Sequence, residues 1–470
     1  MTKLEQTKLT RRGLMAGALA GAGLTALPVF GQSVASPPMD LRAQVAMKRL
    51  LPEQYGMTEV WGYNGGTPAG EIRVAQGARV QRRLVNELPQ STSIHWHGIR
   101  IDNAMDGVSG LTQDAVETGA SFDYDFVAPD AGTYWYHAHN RSMEQVARGL
   151  YGPLIVEEAD ALDIDREEIF MFDDWLVDPA TGQIKDDFGA AHDLSHGGRS
   201  GNYIVTNGTF GLTKQVKQNE RLRLRLINTA NARIFQLQFT GLAGWIVALD
   251  GMPLATPEPL SATLLLGPAQ RADVIVDVTA DEGGAAGILA MLDQQPQPQV
   301  LFDVTGRAST NRRPEAGALP PNDHTMVSLE QTRRIELKME GGAMGGLRSA
   351  MLGDQNMGFR ELANAGQFWA FNGAIGRMED PPLAKLERGE QVRLTIANET
   401  SFPHAMHLHG VHFHEVSEDG SLGPLRDTTL LAAGRSRDIA FVADNPGDWL
   451  FHCHMLGHAA SGMMTRFEVT

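Results

Sequence analysis

His452-Cys453-His454-Met455-Leu456-Gly457-His458 stands near the C-terminus of a 470-residue chain and contains its single cysteine. On an extended backbone successive side chains point to opposite faces. His452 and His454 then share one side, Cys453 takes the other, and a metal centre is expected on each side. Three more clusters carry related spacing: His95-Trp96-His97-Gly98, His137-Ala138-His139 and His404-Ala405-Met406-His407-Leu408-His409. Ten of the 15 histidines lie in these four stretches, whereas chance would give roughly one His-x-His pair or fewer in the whole chain.

Imidazole serves copper, zinc and iron alike, so the histidines alone do not name the metal. Cys453 narrows the choice. It supplies a thiolate, His458 follows five residues later, and His404 is free because His407 and His409 share another face. Met463, five residues beyond His458, adds a thioether through a turn. Two His, one Cys and a weak axial Met make a blue-copper electron-transfer site, whereas zinc favours a closed tetrahedral set. Eight histidines remain, in four pairs: His95 with His97, His137 with His139, His407 with His409, and His452 with His454. They are too many for one ion and fit about three coppers with positions left open for oxygen. Half come from the first part of the chain and half from the last, so the cluster is expected where the chain end closes onto its beginning.

The rest of the chain reads as all-β. Glu71–Val74, Val80–Val85 and Arg221–Leu226 alternate with period two, which predicts one face on a core and one in water. Turn signals such as Asn64-Gly65-Gly66, Asp250-Gly251 and Asn445-Pro446-Gly447 break up the runs. With 51 Gly and 23 Pro this is the pattern of β-sandwiches. A length of 470 residues calls for roughly two to four domains. Boundaries are expected after the strand Tyr151–Val156 and in the Pro- and Arg-rich linker Gly306–Asn322. The resulting units are 40–158, 159–308, and 309–470 with the linker included. Asn86, Asn228 and Asn398 each close an Arg/Leu/Val-rich strand once per unit, an echo that points to three related domains.

Residues 1–35 read as an export signal. Thr10-Arg11-Arg12-Gly13-Leu14-Met15 precedes an apolar stretch, Leu14 to Phe30, too short and glycine-rich for a good membrane span. It resembles a twin-arginine signal, implying a periplasmic protein exported folded, with cleavage near Ala35. No other stretch is apolar enough to cross a bilayer, so the mature protein is expected to have no membrane span. A net charge of -16 argues against nucleic acid as a partner. One cysteine excludes an internal disulfide, and a lone thiol in an exported chain invites a metal or redox role.

From about residue 45 to the C-terminus the sequence resembles the multicopper oxidases, bacterial laccases and copper-efflux oxidases in particular, with all four copper motifs present in order. The resemblance implies three cupredoxin-like Greek-key β-sandwich domains and four copper ions. It assigns His404, Cys453, His458 and Met463 to type 1 copper, and His95 and His407 to type 2. His97, His137, His139, His409, His452 and His454 fall to the type 3 pair. One-electron oxidation of phenols, aromatic amines or cuprous ion would feed four-electron reduction of dioxygen to water, in a monomer. Asp106 matches a carboxylate that assists dioxygen reduction in bacterial relatives, although Met105-Asp106-Gly107 also reads as a plain turn. The chain departs from the efflux oxidases at Ala459, where that subgroup has a second relay glutamate. A non-enzymatic periplasmic scaffold of the same fold is the competing reading, and retention of all twelve ligands weighs against it. Copper nitrite reductase needs no His-Cys-His bridge, and a storage protein would carry many thiolates or methionines.

Other residues carry expectations of their own. His412 and His414 read as strand residues beside the site; His192, His196 and His324 fall in polar loops with exposure as the default. The loop Asp186 to Asn202 is a candidate border of a substrate entrance. Met339, Met344, Met351 and Met357 suit cuprous ions through their thioethers, against the alternative of adaptable core filling. Trp96 and Trp135 are expected to pack the histidine cluster and exclude water.

Overall fold

Alternating runs such as Arg79–Asn86 form strands, and the strands gather into sheets that come in pairs along the chain. The structure is a computed structural model describing residues 38–470, so the paired-arginine segment lies outside the described residues. Two four-stranded sheets come first, then sheets of six and five strands, then again six and five with a small hairpin, Ser349–Leu352 with Gln355–Gly358.

The same connection recurs three times. Met39–Lys48 runs parallel to Arg79–Asn86, Arg166–Trp175 to Arg221–Asn228, and Arg333–Gly341 to Gln391–Asn398. A second parallel pair closes each companion sheet: Ile72–Ala75 with Tyr151–Glu157, Leu212–Gln218 with Gln295–Arg307, and Ala384–Leu386 with Met464–Val469. Nearly all other pairings are antiparallel, as Greek-key sandwiches require.

The asparagine echo has a physical cause. In each unit the buried Asn accepts from the amide two residues on: Leu88, Ala230 and Thr400. Its Nδ2 donates to two carbonyls, Gln90 and Val116 for Asn86, Arg233 and Leu266 for Asn228, Phe402 and Ala432 for Asn398. One amide thus satisfies three backbone groups where the chain leaves the sheet.

One expectation fails. Arg221–Leu226, expected to keep one face in water, lies in the strand Arg221–Asn228, and every residue of that strand is buried. The arginines are covered and paired: Arg221 with Asp277, Arg223 with Asp273 and Glu158, Arg225 with Asp273 and Glu167. Alternation of charge looks the same whether the polar face meets water or buried carboxylates. His412 also differs, lying ahead of the strand Phe413–Val416 that contains His414.

The middle unit has its own core, built around Phe170, Leu224, Val274 and Ile288. The first and last units share one continuous core that runs from Trp96 and Tyr134 to Leu408, Phe451 and Cys453. Burial therefore draws the end of the chain onto its beginning.

Candidate metal centres

Two antiparallel ribbons carry the histidines. Ile94–His97 pairs with Gly132–Ala138, which sets His95 opposite His137 and His97 opposite Trp135. His404–Leu408 pairs with Gly447–Cys453, which sets His407 opposite His452 and Met406 opposite Cys453. His139, His409 and His454 lie just past the ends of these strands. Residues one apart face opposite sides, so the sulfur and the two flanking rings part as expected.

On one side, the rings of His97, His137 and His454 lie 5.0 to 5.7 Å apart by centroid. Those of His139, His409 and His452 lie 5.1 to 5.6 Å apart. His95 and His407 stand 5.8 Å apart between the two trios. All eight are buried.

Hydrogen bonds orient the rings. His409 donates from Nδ1 to the Asp106 carboxylate at 2.9 Å, and His452 donates from Nδ1 to the Cys453 carbonyl at 3.0 Å. Their Nε2 lone pairs then face each other at 3.1 Å with no proton between, a conflict that a cation resolves. His95 and His407 donate from Nδ1 to the carbonyls of Asp106 and Asp427, each at 2.9 Å. Nε2 of His95, His137 and His407, Nδ1 of His97 and both nitrogens of His454 are buried without a hydrogen-bond partner. Buried polar atoms are rarely left so, and here the unused lone pairs converge. The residues fit a cluster of metal ions.

The other side holds His404, Cys453 and His458. Cys453 Sγ stands 3.6 Å from Nδ1 of each histidine, and the two Nδ1 atoms are 3.0 Å apart. His404 donates from Nε2 to the Thr400 hydroxyl at 2.8 Å, and that hydroxyl donates to Asn398 at 2.7 Å. His458 donates from Nε2 to the His196 carbonyl at 2.7 Å. Both Nδ1 lone pairs are left aimed at the sulfur. Met463 is buried at the same place, its amide bonded to the His458 carbonyl and its carbonyl to the Cys453 amide. Trp369 covers both rings at 4.3 and 5.1 Å.

Burial sets the protonation states. It lowers His97, His137, His139, His404, His409 and His454 well below the usual imidazole range and takes His452 to about 3 and His458 to about 4. Neutral imidazole is the ligating form. Burial also pushes the Cys453 thiol up to about 12, so a metal ion is what would draw off its proton.

Asp106 sits in a turn and also touches the histidine cluster. It ends the short helical turn Asn103–Met105, is wholly buried, and reaches His409 at 2.9 Å and His95 at 3.2 Å. Gly107 has φ +82°, and a Cβ there would lie 1.7 Å from the Ile94 carbonyl. Ala459 offers no carboxylate, in keeping with the departure noted above.

Sequence reasoning missed Asp427. Its carboxylate meets His97 Nε2 at 3.3 Å and is clamped by Arg271 at 2.9 and 2.6 Å. Burial alone would raise its pKa, but Arg271 and then His97 hold it well below the usual carboxylate range. No local motif marks it; its partner lies 156 residues away. Gly98 gives way to this clamp, since a Cβ there would lie 2.3 Å from Arg271 and 2.6 Å from Asp427.

Two expectations are corrected. Trp135 packs on the cluster, 4.3 Å from His137, but Trp96 faces away among Tyr124, Phe126 and Tyr136 because it alternates with its histidine neighbours. Met339 is fully buried in the core and unavailable as a surface thioether, while Met344 and Met351 are exposed and Met357 half-buried. His192 is exposed and His196 and His324 half-buried; the loop containing His192 and His196 does border the cysteine-bearing centre.

Multicopper oxidase family models match residues 44–161, 166–288 and 354–470. The chain belongs to the multicopper oxidase family. Lac15, from a marine microbial metagenome, is 42% identical, with a TM-score of 0.75 over 92% of this oxidase and 100% of that chain. A multi-copper oxidase from Pseudomonas thermotolerans is 30% identical with a TM-score of 0.80, over 92% and 99% of the two chains. The multicopper oxidase MmcO of Mycobacterium tuberculosis is 29% identical over 86% of this chain and 82% of its own. These likenesses make the protein a copper-dependent oxidoreductase with three cupredoxin-like domains, taking electrons from a reductant and passing them to dioxygen.

Proposed function

We propose that this oxidase carries four coppers and joins oxidation of a phenol, an aromatic amine or cuprous ion to reduction of dioxygen to water. His404, Cys453, His458 and Met463 hold the type 1 ion, and His95 with His407 the type 2 ion. His97, His137 and His454 hold one type 3 ion, and His139, His409 and His452 the other. Convergence of the unpartnered nitrogens carries this reading. The coppers, when bound, store single electrons until dioxygen can take four.

The chain's own residues do the rest. Cys453 is one peptide bond from both His452 and His454, which gives a covalent route between the centres. Asp106 orients His409 and His95 and holds a proton acceptor beside the cluster. Asp427 fixes His97 with Nδ1 turned inward, and Arg271 keeps that carboxylate ionised. Trp135 and Trp369 exclude water from the two centres. The domain limits proposed are 40–158, 159–308 and 309–470, and the strand connection repeated once in each supports them. Export to the periplasm through the Thr10–Met15 segment, as a monomer, completes the reading.

Oxygen uptake by the copper-loaded protein, measured with a phenol, cuprous ion and ferrous ion, tests the function. Turnover of at least one is expected; a holoprotein that consumes no oxygen with any of them would leave the scaffold reading in its place. Turnover of cuprous ion alone, abolished by replacing Met344 and Met351, would assign those thioethers a role. Rapid phenol oxidation indifferent to the same changes would remove it.

A further inference from the structure

Reduction of dioxygen to water takes up a proton with every electron, and Asp106, the carboxylate beside His409 and His95, is wholly buried. Protons must therefore reach the cluster from elsewhere. A cavity of about 450 Å³ opens to solvent on the other side, and His139 and His452 stand in its wall. His139 is 8% exposed, against 2% or less for the seven other cluster histidines. Water that fills this cavity meets the cluster's ligand rings.

One wall is the helix Ser142–Ala147, which the chain enters directly from His139 through Arg141 at φ +49°. Asn140 Nδ2 and Gln145 Nε2 both donate to the Ser91 carbonyl, at 2.7 and 2.8 Å, and the Thr92 hydroxyl donates to Gln145 Oε1 at 2.6 Å. The facing wall is the helix Leu456–Ala460, which presents Ala459 and Ala460. Asn231 holds the two helices together, donating from Nδ2 to the Met143 carbonyl at 2.7 Å and accepting the Leu456 amide on its own carbonyl at 3.0 Å. Among the residues lining this cavity Glu144 is the single carboxylate. Its Oε1 accepts from Arg148 Nε at 2.9 Å; Oε2 takes no hydrogen bond among the described residues, with Arg141 Nε 3.9 Å away. One oxygen is anchored and the other is left to exchange a proton with water. The charged groups around it are Arg141, Arg148 and, across the Phe188 ring, Arg199, which Asp187 and Asp193 engage. Asn140, Ser142 and Ser109 line the cavity as well and give water polar partners there.

We propose that Glu144 supplies the protons for dioxygen reduction, passing them through water in this cavity to the side of the cluster formed by His139 and His452. Oε2 takes a proton from bulk water and gives it to cavity water, and the carboxylate is restored after each transfer. Four protons and four electrons thus enter per dioxygen, and two waters leave. Asp106 then serves the far side of the cluster and Glu144 the solvent side. This rests on the proposal that the eight histidines hold the oxygen-reducing metal ions, and it adds the residue that feeds them.

Two measurements test it. In stopped-flow reoxidation of the reduced holoenzyme by dioxygen, Glu144→Gln should be slower by about tenfold or more. The deficit should grow as pH rises and bulk protons become scarce, while reduction of the blue absorbance by donor is unchanged. Adding Ala459→Glu, which returns a carboxylate to the same cavity from the facing wall, should restore part of the rate. Independently of activity, a crystal structure of the wild-type holoenzyme that resolves water should show ordered water linking Glu144 Oε2 to the rings of His139 and His452. Reoxidation as fast in Glu144→Gln as in wild type, slowing by the same factor at every pH, no recovery with Ala459→Glu, or a dry cavity would each overturn the proposal. A wild-type holoprotein that takes up no oxygen with any donor would instead sink the underlying assignment, whether or not the cavity holds water.

Discussion

Asp106 reaches two histidines of the cluster from a buried turn, and the proposed proton-relay role can be tested there by one substitution. Asp106→Asn keeps the shape and loses the proton acceptor. Reoxidation of the reduced enzyme by dioxygen should slow about 10²-fold, while reduction of the blue copper by donor stays intact; stopped-flow absorbance follows both. Equal slowing of the two steps would count against the relay. Gly98 is a structural counterpart. Gly98→Ala would place a methyl against the Arg271–Asp427 clamp at φ +86°, and should cost about 1–3 kcal/mol, read as a lower Tm. The candidate ligands were legible in the sequence because His-x-His and His-Cys-His compress each half-site into three residues. Asp427 was not, since its meaning lies in Arg271, Gly98 and His97, brought together only by the fold.

Among the elements, the strand Arg221–Asn228 shows where reading by alternation stops. Its period was right and its polar face was misassigned, because a buried layer of ion pairs repeats like a wet surface. Asp273 joins Arg223 and Arg225 and accepts from Thr133 of the first unit at 2.5 Å. Asp273→Ala would leave two covered guanidinium groups short of a partner and should destabilise by about 3–5 kcal/mol, seen as a lower urea midpoint. A change under about 1 kcal/mol, the range of exposed pairs, would mean that water reaches the layer. The neighbouring strand Arg166–Trp175 supplies a pH test. Burial, and then the charge of Asp174, raise the Asp173 carboxyl well above its ordinary value of 3.8. The folded state thus holds this proton more tightly than the unfolded state does. Its contribution is full below 3.8 and is lost as pH climbs through the raised value. Asp173→Asn should flatten that decline in Tm; a steeper decline in the variant would reverse the sign.

For the whole molecule, the decisive fact is closure. Both ends of the described chain share one core, and the histidines of Ile94–His97 and Gly132–Ala138 meet those of His404–Leu408 and Gly447–Cys453 only there. Arg271 brings in the middle unit, donating to the Thr133 carbonyl of the first and the Asp427 carboxylate of the third. That half the cluster comes from each end was readable from His positions alone. The triple recurrence of sheet connections was visible only as Asn86, Asn228 and Asn398, because each turn needs an amide side chain to satisfy its backbone groups whereas many apolar sequences build the same strand. The most direct test is copper content per chain in the purified holoprotein and in Cys453→Ser. Four ions in the wild type and three in a colourless variant are expected, since the sulfur serves one centre and the flanking rings another. Equal copper content in the two proteins, or loss of all copper together from a folded variant, would contradict it.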